Sequence, residues 1–383
     1  MAPRQPEKET TTQAPESGTQ PAESWALSLR ATSADASRRL GGLNLALRLA
    51  LDAQGAGASA IVVEAEEHAA LLADARLRIP VTSTAPDGCA LLSLPASYLV
   101  PRQMLGLVVR QGLPAAGQTR DLVAEPEAVP LPYTFEPLDI VDAESARTGE
   151  RVLFRALRKP QDGWTSRHLN RYISLAISRV LVRTALTPNQ VSVAILAVGI
   201  FGAVMAARGD YLSLFIGATA FQAQSVLDGC DGEMSRVTYR GSLAGQWLDT
   251  VGDDLTNYGF FAGAAYGLYQ TSNHWIYLLA GAVTLLCGLT ASGIEYRYLI
   301  RIGSGDLLQY PLSAQSSAAD GGLYSKIAPL FKRDTFVFLT WLSAVFALVG
   351  PMLVVFAAGA VGVLVGVLST EMKMARERKG AAS

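Results

Sequence analysis

Four aspartates lie close together in a stretch of this chain that is otherwise apolar: Asp228, Asp231, Asp249 and Asp253. On a helix, residues at i and i+3 or i+4 share a face, so each neighbouring pair of these aspartates projects to one side. Carboxylates at membrane depth are costly unless a cation neutralises them. The chain is therefore expected to fold into helices that gather these side chains around one or two divalent cations, and hard oxygen ligands favour Mg²⁺ or Mn²⁺.

The residues between the aspartates suit the same kind of site. Gly232 and Gly245 leave room for a ligand or a neighbouring backbone at the level of the carboxylates. Arg236 supplies a fixed cation whose guanidinium matches the geometry of a phosphate. Carboxylates, divalent metal, arginine and glycine clearance together predict phosphoryl-transfer chemistry. The alternative is a polar seam between the helices of a transporter or scaffold.

Written as a pattern, this stretch is D-x2-D-G-x2-S-R-x8-G-x3-D-x3-D. It resembles the signature of the CDP-alcohol phosphotransferase family, from which it departs in having Ser235 where alanine is usual. The resemblance covers about residues 150–375. It implies that a substituted phosphoryl group passes from a CDP-alcohol to an acceptor hydroxyl, with release of CMP. The implied partners are a CDP-linked donor, a lipid or polyol-phosphate acceptor, membrane lipids and a second copy of the chain in a homodimer.

The resemblance also assigns roles to individual residues. The aspartates 228, 231, 249 and 253 would hold the metal, expected as two ions, and Asp253 would also be the general base that takes the acceptor proton. A Thr-Pro-Asn sequence at Thr187 resembles the family's entry to its first spanning helix, close to the nucleotide. The predicted nucleotide- and substrate-binding residues are Asn189, Gly232, Ser235, Arg236, Ser242 and Gly245.

Composition supports a membrane protein with a soluble extension. Of 383 residues, 50% are hydrophobic and 17% are charged, against about 25% charged in an average soluble protein. The formal net charge of −1 and the lack of a basic surface with interspersed aromatic residues argue against nucleic-acid binding. The three cysteines show neither disulfide nor metal-site spacing.

Six apolar segments, each near the length that a bilayer requires, follow residue 187. They run approximately over 189–207, 211–231, 243–268, 275–298, 334–350 and 352–372. The positive-inside rule, applied from a cytoplasmic basic junction, agrees at all six connections. The connections placed outside carry only Arg208, and those placed inside carry Arg236, Arg240, Arg297, Arg301, Lys326, Lys332, Arg333, Lys373, Arg376, Arg378 and Lys379. A bacterial or archaeal cytoplasmic membrane is expected, with the site and both termini on the cytoplasmic side.

The segment before the apolar helices predicts a small α/β domain. Residues 1–25 are rich in Pro, Thr, Glu, Gln and Ser and are expected to be a disordered tail. Residues 26–135 alternate helices (43–56, 66–74, 101–110) with strands (60–64, 90–94), which favours a mostly parallel sheet. This segment resembles a degenerate nucleotidyltransferase, without the Gly-rich nucleotide loop and with Ser97 where that family has a metal-binding aspartate. An unrelated α/β accessory domain is the alternative.

Residues 136–186 predict a basic linker and an amphipathic helix. Apolar residues from Ile173 to Leu181 oppose a basic face, as in a helix that lies among anionic headgroups. The alternative is a solvated basic helix that packs on the soluble domain. Between positions 151 and 183, basic residues outnumber the single acid, Asp162: Arg151, Arg155, Arg158, Lys159, Arg167, Arg171, Arg179 and Arg183.

The predicted fold class is therefore an all-α membrane protein. Six transmembrane helices over 187–375, followed by a tail over 376–383, are preceded by the soluble α/β domain and the interfacial helix. The favoured function is a metal-dependent CDP-alcohol phosphotransferase of phospholipid biosynthesis that uses CDP-diacylglycerol or a CDP-polyol. Two alternatives stay open. One is a di-inositol-phosphate-type synthase that uses CDP-inositol made by another enzyme, and the other is a catalytically silent membrane scaffold.

Overall fold

The computed structural model describes residues 22, 24–31, 36–64, 66–124, 134–158, 163–312 and 332–382. They divide into two compact units, residues 1–149 and 150–383. Of the predicted tail, residues 1–21 and 23 lie outside the described residues. Lys159, Asp162 and Lys326 also lie outside them. Trp25, placed in the tail by its composition, instead begins the first strand.

The first unit is built on a five-stranded, all-parallel sheet in the order β5-β4-β1-β6-β8. The sheet strands are β1 (Trp25–Arg30), β4 (Ala60–Val63), β5 (Val81–Thr82), β6 (Ala90–Pro95) and β8 (Thr119–Asp121). Two short antiparallel pairs complete the strands: β2 (Arg39–Leu40) with β3 (Leu43–Asn44), and β7 (Tyr98–Leu99) with β9 (Leu138–Asp139). Strand β1 is central and buried on both faces, which explains its run of apolar residues.

Among the described residues, four α-helices accompany these strands, the last of which runs into the second unit: α1 (Leu45–Gly55), α2 (Glu66–Leu71), α3 (Met104–Gln111) and α4 (Ala143–Arg155). Helix α1 starts later than predicted because Asn44 caps it, accepting a hydrogen bond from the Leu47 amide at 2.7 Å. Helix α4 is preceded by Asp142, whose carboxylate accepts from the Ser145 amide at 2.7 Å. Hydrogen bonds from the backbone and side chain of Ser145 lower the pKa of Asp142 below its ordinary value.

The second unit is helical. Its helices are α5 (Arg171–Leu181), α6 (Pro188–Ala206), α7 (Tyr211–Thr238), α8 (Leu243–Ser272), α9 (Trp275–Ile302), α10 (Arg333–Val345) and α11 (Val349–Ala382). Helix α6 packs against α7 and α8, and α9 packs against α8 and α11. The predicted start of α6 is confirmed, since Thr187 and Gln190 form a capping box with Pro188 in the first turn.

Among the described residues, three helices are long and apolar enough to cross a membrane: Pro188–Ala206, Trp275–Ile302 and Val349–Lys379. They coincide with three of the six predicted spans, and the structure does not confirm the other three. Helices α7 and α8 are diluted by polar residues such as Gln222, Gln224 and Asn257, and α10 has 13 residues. Helix α11 also continues through the predicted tail as far as Ala382.

Close glycine packing joins helix α8 to α6. A Cβ atom on Gly263 would lie 2.5 Å from the Ala203 carbonyl oxygen, and one on Gly267 would lie 2.5 Å from the Ala206 carbonyl oxygen. Gly263 and Gly267 therefore pack within the chain, and they let the backbones of α6 and α8 approach closely.

An aromatic core fixes how α7 and α8 face one another. The rings of Phe221 on α7 and Phe260 on α8 stack with their centroids 4.6 Å apart, and both side chains are fully buried. Phe261 meets both rings edge-on. Phe221 lies seven residues before Asp228 and Phe260 seven residues after Asp253, so the stack shares the helix faces that carry these aspartates. It forms an apolar layer about two turns from the carboxylates.

Candidate active site

Three of the four motif aspartates come together. Asp228 on α7 and Asp249 and Asp253 on α8 each offer a carboxylate oxygen, and these oxygens lie within 4.8 Å of one another. Asp249 is exposed, while Asp228 and Asp253 are half-buried. Three hard oxygen donors at this spacing fit one divalent cation such as Mg²⁺ or Mn²⁺. The sequence predicted this meeting of two helix faces from the spacing of the residues.

Asp231 lies apart from that group. Its side chain is 8% exposed, and Oδ2 accepts a short hydrogen bond from the Ser192 hydroxyl on α6. Oδ1 accepts from the Gly232 amide at 2.5 Å. Asp231 thus connects α7 to α6, one turn along from Asp228, while its role as a metal ligand stays a prediction.

Arg333, the first residue of α10, reaches into the carboxylate group. Its Nη1 lies 3.0 Å from Oδ2 of Asp228, and its Nη2 lies 2.9 Å from Oδ1 of Asp253. Nε donates to the Asn257 side-chain oxygen at 3.3 Å. A guanidinium between two carboxylates offsets part of their mutual repulsion. From the sequence, Arg333 was predicted only as a positive charge in a connection on the inner side, outside the site.

The predicted phosphate-binding arginine lies over a motif glycine. A Cβ atom on Gly232 would lie 3.0 Å from Nη1 of Arg236, so the guanidinium lies directly against the glycine backbone. Ser235 donates a hydrogen bond from its hydroxyl to the Gly232 carbonyl oxygen at 3.0 Å. The serine that replaces the usual alanine therefore satisfies its hydroxyl within its own helix.

The other predicted nucleotide residues meet at the start of α8. Ser242 caps this helix by accepting a hydrogen bond from the Gly245 amide at 3.0 Å. A Cβ atom on Gly245 would lie 2.9 Å from the side-chain oxygen of Asn189, which comes from the first turn of α6. The structure thus brings Asn189, Ser242 and Gly245 together, and Gly245 leaves room for the Asn189 side chain.

Asp254 faces away from the carboxylate group, as its position on the helix predicts. Its Oδ2 accepts a hydrogen bond from the Tyr296 hydroxyl on α9 at 2.7 Å. On the same side, the hydroxyls of Tyr258 and Ser292 lie 2.8 Å apart. Asp254 therefore helps to join α8 to α9.

A buried ionic cluster fixes α5 to the motif helix. Glu233 is fully buried and accepts from Nη1 of Arg171 and from the Ser174 hydroxyl, both at 2.8 Å, and from the Ser178 hydroxyl at 2.7 Å. All three donors belong to α5. The apolar stripe predicted for this helix is therefore only partly buried: Leu175 is 4% exposed, but Val180 is 65% exposed. A polar face packs inward because it meets the Glu233 carboxylate.

We expect Glu233→Gln to lower the free energy of unfolding by about 3–5 kcal/mol, because it leaves the buried Arg171 cation without its counter-charge. The measurement is denaturant unfolding of the purified protein in detergent micelles. The double variant Arg171→Met/Glu233→Gln should recover part of the loss.

A matched control is Arg183→Gln. Arg183 pairs with Glu150 at 2.9 Å, but its side chain is 66% exposed, and exposed pairs contribute about 0–1 kcal/mol. An equal effect of Glu233→Gln and Arg183→Gln on unfolding would contradict the account of the buried cluster.

Comparison with family models identifies a domain in the second unit. Residues 185–370 match the family model described as CDP-alcohol phosphatidyltransferase. Residues 185–370 therefore form a CDP-alcohol phosphatidyltransferase domain. The transferase domain contains the carboxylate group, Arg333 and the predicted nucleotide residues, so the family indicated by the motif is confirmed.

Curated relatives share part of the chain. The bifunctional IPC transferase and DIPP synthase of Thermococcus kodakarensis is 34% identical over 161 residues, which are 42% of this chain and 35% of the relative. The protein of the same name from Aquifex aeolicus is 36% identical over 129 residues, 33% of this chain and 29% of the relative. The chain thus spans about a third of the length of these relatives.

Among solved structures, phosphatidylinositol phosphate synthase from Mycobacterium tuberculosis with CDP-DAG bound matches 52% of this chain and 93% of its own. The sequence identity is 21% and the TM-score is 0.40.

Proposed function

We propose that this protein is an integral membrane, metal-dependent phosphotransferase that moves a substituted phosphoryl group from a CDP-alcohol to an acceptor hydroxyl and releases CMP. The observation that carries the proposal is the group formed by Asp228, Asp249 and Asp253, on two helices of a CDP-alcohol phosphatidyltransferase domain. A polar seam between the helices of a scaffold or transporter would not require three carboxylates from two helices to lie within 4.8 Å of one another.

Asp228, Asp249 and Asp253 would hold the divalent cation, and Asp231 would join a second ion from its neighbouring turn. When bound, the metal would neutralise the donor diphosphate and the leaving CMP. The proposed roles of the chain's other residues follow from their positions. Arg236, lying on Gly232, would contact a phosphate through its planar guanidinium.

Asn189, Ser242 and Gly245 would bind the nucleotide, because they meet at the exposed first turn of α8 next to the aspartates. In the transfer step, the acceptor oxygen forms a bond to the phosphorus that carries the donor alcohol. The bond from that phosphorus to the bridging oxygen breaks, and CMP leaves with that oxygen. Asp253 would take the acceptor's hydroxyl proton.

The interfacial helix supports a site at a membrane surface. Large apolar side chains are exposed on α5, Tyr172 at 59% and Val180 at 65%, and just before it, Trp164 at 66%. Arg158 lies 4.4 Å above the Tyr172 ring. Exposed aromatic and basic residues together suit anionic headgroups. We propose that this helix lies on the cytoplasmic face, with the site and both termini on that side, and that two copies of the chain pair as a homodimer.

The first unit is proposed to be a non-catalytic domain. Its strand order reverses between β1 and β6, where ligands bind in related parallel sheets. There, Arg30 at the end of β1 pairs with Asp121 at the end of β8, with 2.8 Å between Nη1 and Oδ2. Ser97 is fully buried and donates to Asp139 at 2.6 Å. An internal ion pair thus lies at this edge of the sheet, and a buried serine stands where the resembling family has a metal-binding aspartate.

Two classes of substrate remain candidates. A phospholipid-type reaction would use CDP-diacylglycerol or a CDP-polyol. The names of the curated relatives include DIPP synthase, which favours the second candidate, a CDP-inositol donor with an inositol phosphate acceptor. In that case another enzyme would supply the CDP-inositol, since the first unit is proposed to be non-catalytic.

A substrate panel tests the proposal. Purified full-length protein would be incubated with each CDP-donor and each acceptor in Mg²⁺ or Mn²⁺, and products would be identified by mass spectrometry. We expect one donor and acceptor pair to give CMP and the condensed phosphodiester in equal amounts. If no pair releases CMP while the protein remains folded and binds Mn²⁺, the silent-scaffold alternative replaces the proposed activity.

A further inference from the structure

Arg333 connects two helices through the carboxylates at the centre of the site. One guanidinium nitrogen contacts Asp228 on α7 and another contacts Asp253 on α8, at 3.0 and 2.9 Å. Each contact uses one of the two oxygens of its carboxylate, so the other oxygen on each remains for a metal ion. The guanidinium is therefore compatible with a cation held by the same two side chains.

The arginine is itself held from two directions. Its Nε donates to Asn257, which lies one turn beyond Asp253 on α8 and is 9% exposed. The neighbouring residue, Asp334, accepts a hydrogen bond from the Ser166 amide at 2.7 Å. The first turn of α10 is thereby fixed to the turn that precedes α5. The Arg333 side chain is 19% exposed. Water therefore screens its attraction to the two carboxylates less than at an open surface.

We propose that Arg333 is a positioning residue of the transferase: its guanidinium holds Asp228 and Asp253 in the relative position that binds the divalent cation. The inference rests on the proposed metal-dependent function. Side chains that orient metal ligands commonly change metal affinity or activity by about 10–100-fold when they are replaced. A rigid, forked guanidinium suits this role because its nitrogens are fixed relative to one another, whereas a lysine ammonium is a single point charge.

Positioning and simple charge compensation predict opposite results. If Arg333 acted only as a counter-charge, its removal would leave Mn²⁺ binding unchanged or tighter, since a nearby cation repels the metal ion. If it positions the two carboxylates, its removal weakens Mn²⁺ binding, because Asp228 and Asp253 separate under their mutual repulsion. Binding of Mn²⁺ without any substrate therefore distinguishes the two roles.

The experiment is a titration of purified full-length protein with Mn²⁺, in which electron paramagnetic resonance measures the free ion. Arg333→Gln and Arg333→Lys should both weaken Mn²⁺ binding by about 10–100-fold. Arg208→Gln, which changes an exposed arginine between α6 and α7, should bind Mn²⁺ like the unchanged protein. Unchanged or tighter binding in Arg333→Gln, or full affinity in Arg333→Lys, would overturn the proposal.

If neither Arg333 variant folds, Asn257→Ala distinguishes the two roles. It keeps the charge of Arg333 and removes only the contact that orients the guanidinium. It should weaken Mn²⁺ binding in the same direction but by less, and unchanged affinity would count against positioning. Failure of the unchanged protein to bind Mn²⁺ would instead contradict the proposed function itself. The two failures are therefore distinguishable.

Discussion

Replacing Asp228 by asparagine is expected to lower the rate of CMP release by about 10³-fold, corresponding to about 4 kcal/mol of lost transition-state stabilisation. Asp228 is the one member of the three-carboxylate group that comes from α7. Without its charge, a cation would be held by α8 alone. The measurement is CMP release by the purified variant at saturating Mg²⁺ or Mn²⁺, with the donor and acceptor identified in the substrate panel.

The fold should survive this change. Asparagine removes one like charge from a crowded group, and Arg333 keeps its contact with Asp253. Asp254→Asn is the matched control, because Asp254 is a neighbouring carboxylate on α8 that bonds to Tyr296 outside the group. Its asparagine can still accept that hydrogen bond. Equal loss of activity in Asp228→Asn and Asp254→Asn would mean that the three-carboxylate group is not the reacting centre.

Asp253→Asn is expected to reduce turnover by about 10²–10⁴-fold, the range typical of a lost general base. Donor binding should fall much less, because Asp228 and Asp249 remain to hold the cation. Calorimetric titration of a non-reacting CDP-donor analogue with Mg²⁺ measures the binding, and single-turnover kinetics measure the rate. The same two measurements on Asp231→Asn provide the comparison. Asp231 lies on the turn that is hydrogen-bonded to Ser192.

A general base and a metal ligand give different ratios of these two losses. A base acts on the acceptor proton, so its removal changes turnover more than donor affinity. If Asp253→Asn lost donor affinity as steeply as turnover, Asp253 would be a metal ligand only, and the base would be another group. The structure makes this comparison necessary, since Asp253 lies in the carboxylate group and also contacts Arg333.

The motif predicted most of the site because helix geometry turns sequence spacing into shared faces. Asp249 and Asp253 are one helical turn apart, and their meeting with Asp228 requires only that α7 and α8 pack face to face. The spacing alone did not predict where the Asp231 side chain lies. A residue at i+3 lies about 60° round the helix from residue i, and there the Ser192 hydroxyl on α6 donates a hydrogen bond to the Asp231 carboxylate. Which neighbour binds a side chain depends on tertiary packing.

Contacts made over long sequence distances carried no local signal. Arg333 is far along the chain from the aspartates, and its sequence neighbours mark it only as one more basic residue near a helix start. Glu233 has a clearer signal in retrospect: it is a carboxylate next to Gly232 in the motif, opposite the basic junction that contains Arg171. Such a buried acid predicts a cationic partner, but the sequence does not say which arginine provides it.

The fold was predicted best where pattern and packing agree. Strands β4 and β6 are short apolar runs, and the structure confirms both. The central strand β1 follows a polar tail and was missed, because composition averages hide a six-residue strand. For the membrane helices, the sequence predicted more spans than the structure confirms. Helices α7 and α8 carry the site, and the polar residues that the chemistry requires lower their hydropathy below that of a typical spanning helix.

Metal-dependent CMP release tests the central claim most directly. Purified full-length protein would be treated with EDTA, supplied with a CDP-donor and acceptor, and then titrated with Mg²⁺ or Mn²⁺ while CMP and the phosphodiester product are measured together. We expect no CMP in EDTA and, once the divalent ion is restored, CMP and product in equal amounts. Product formation that continues unchanged in EDTA would contradict it.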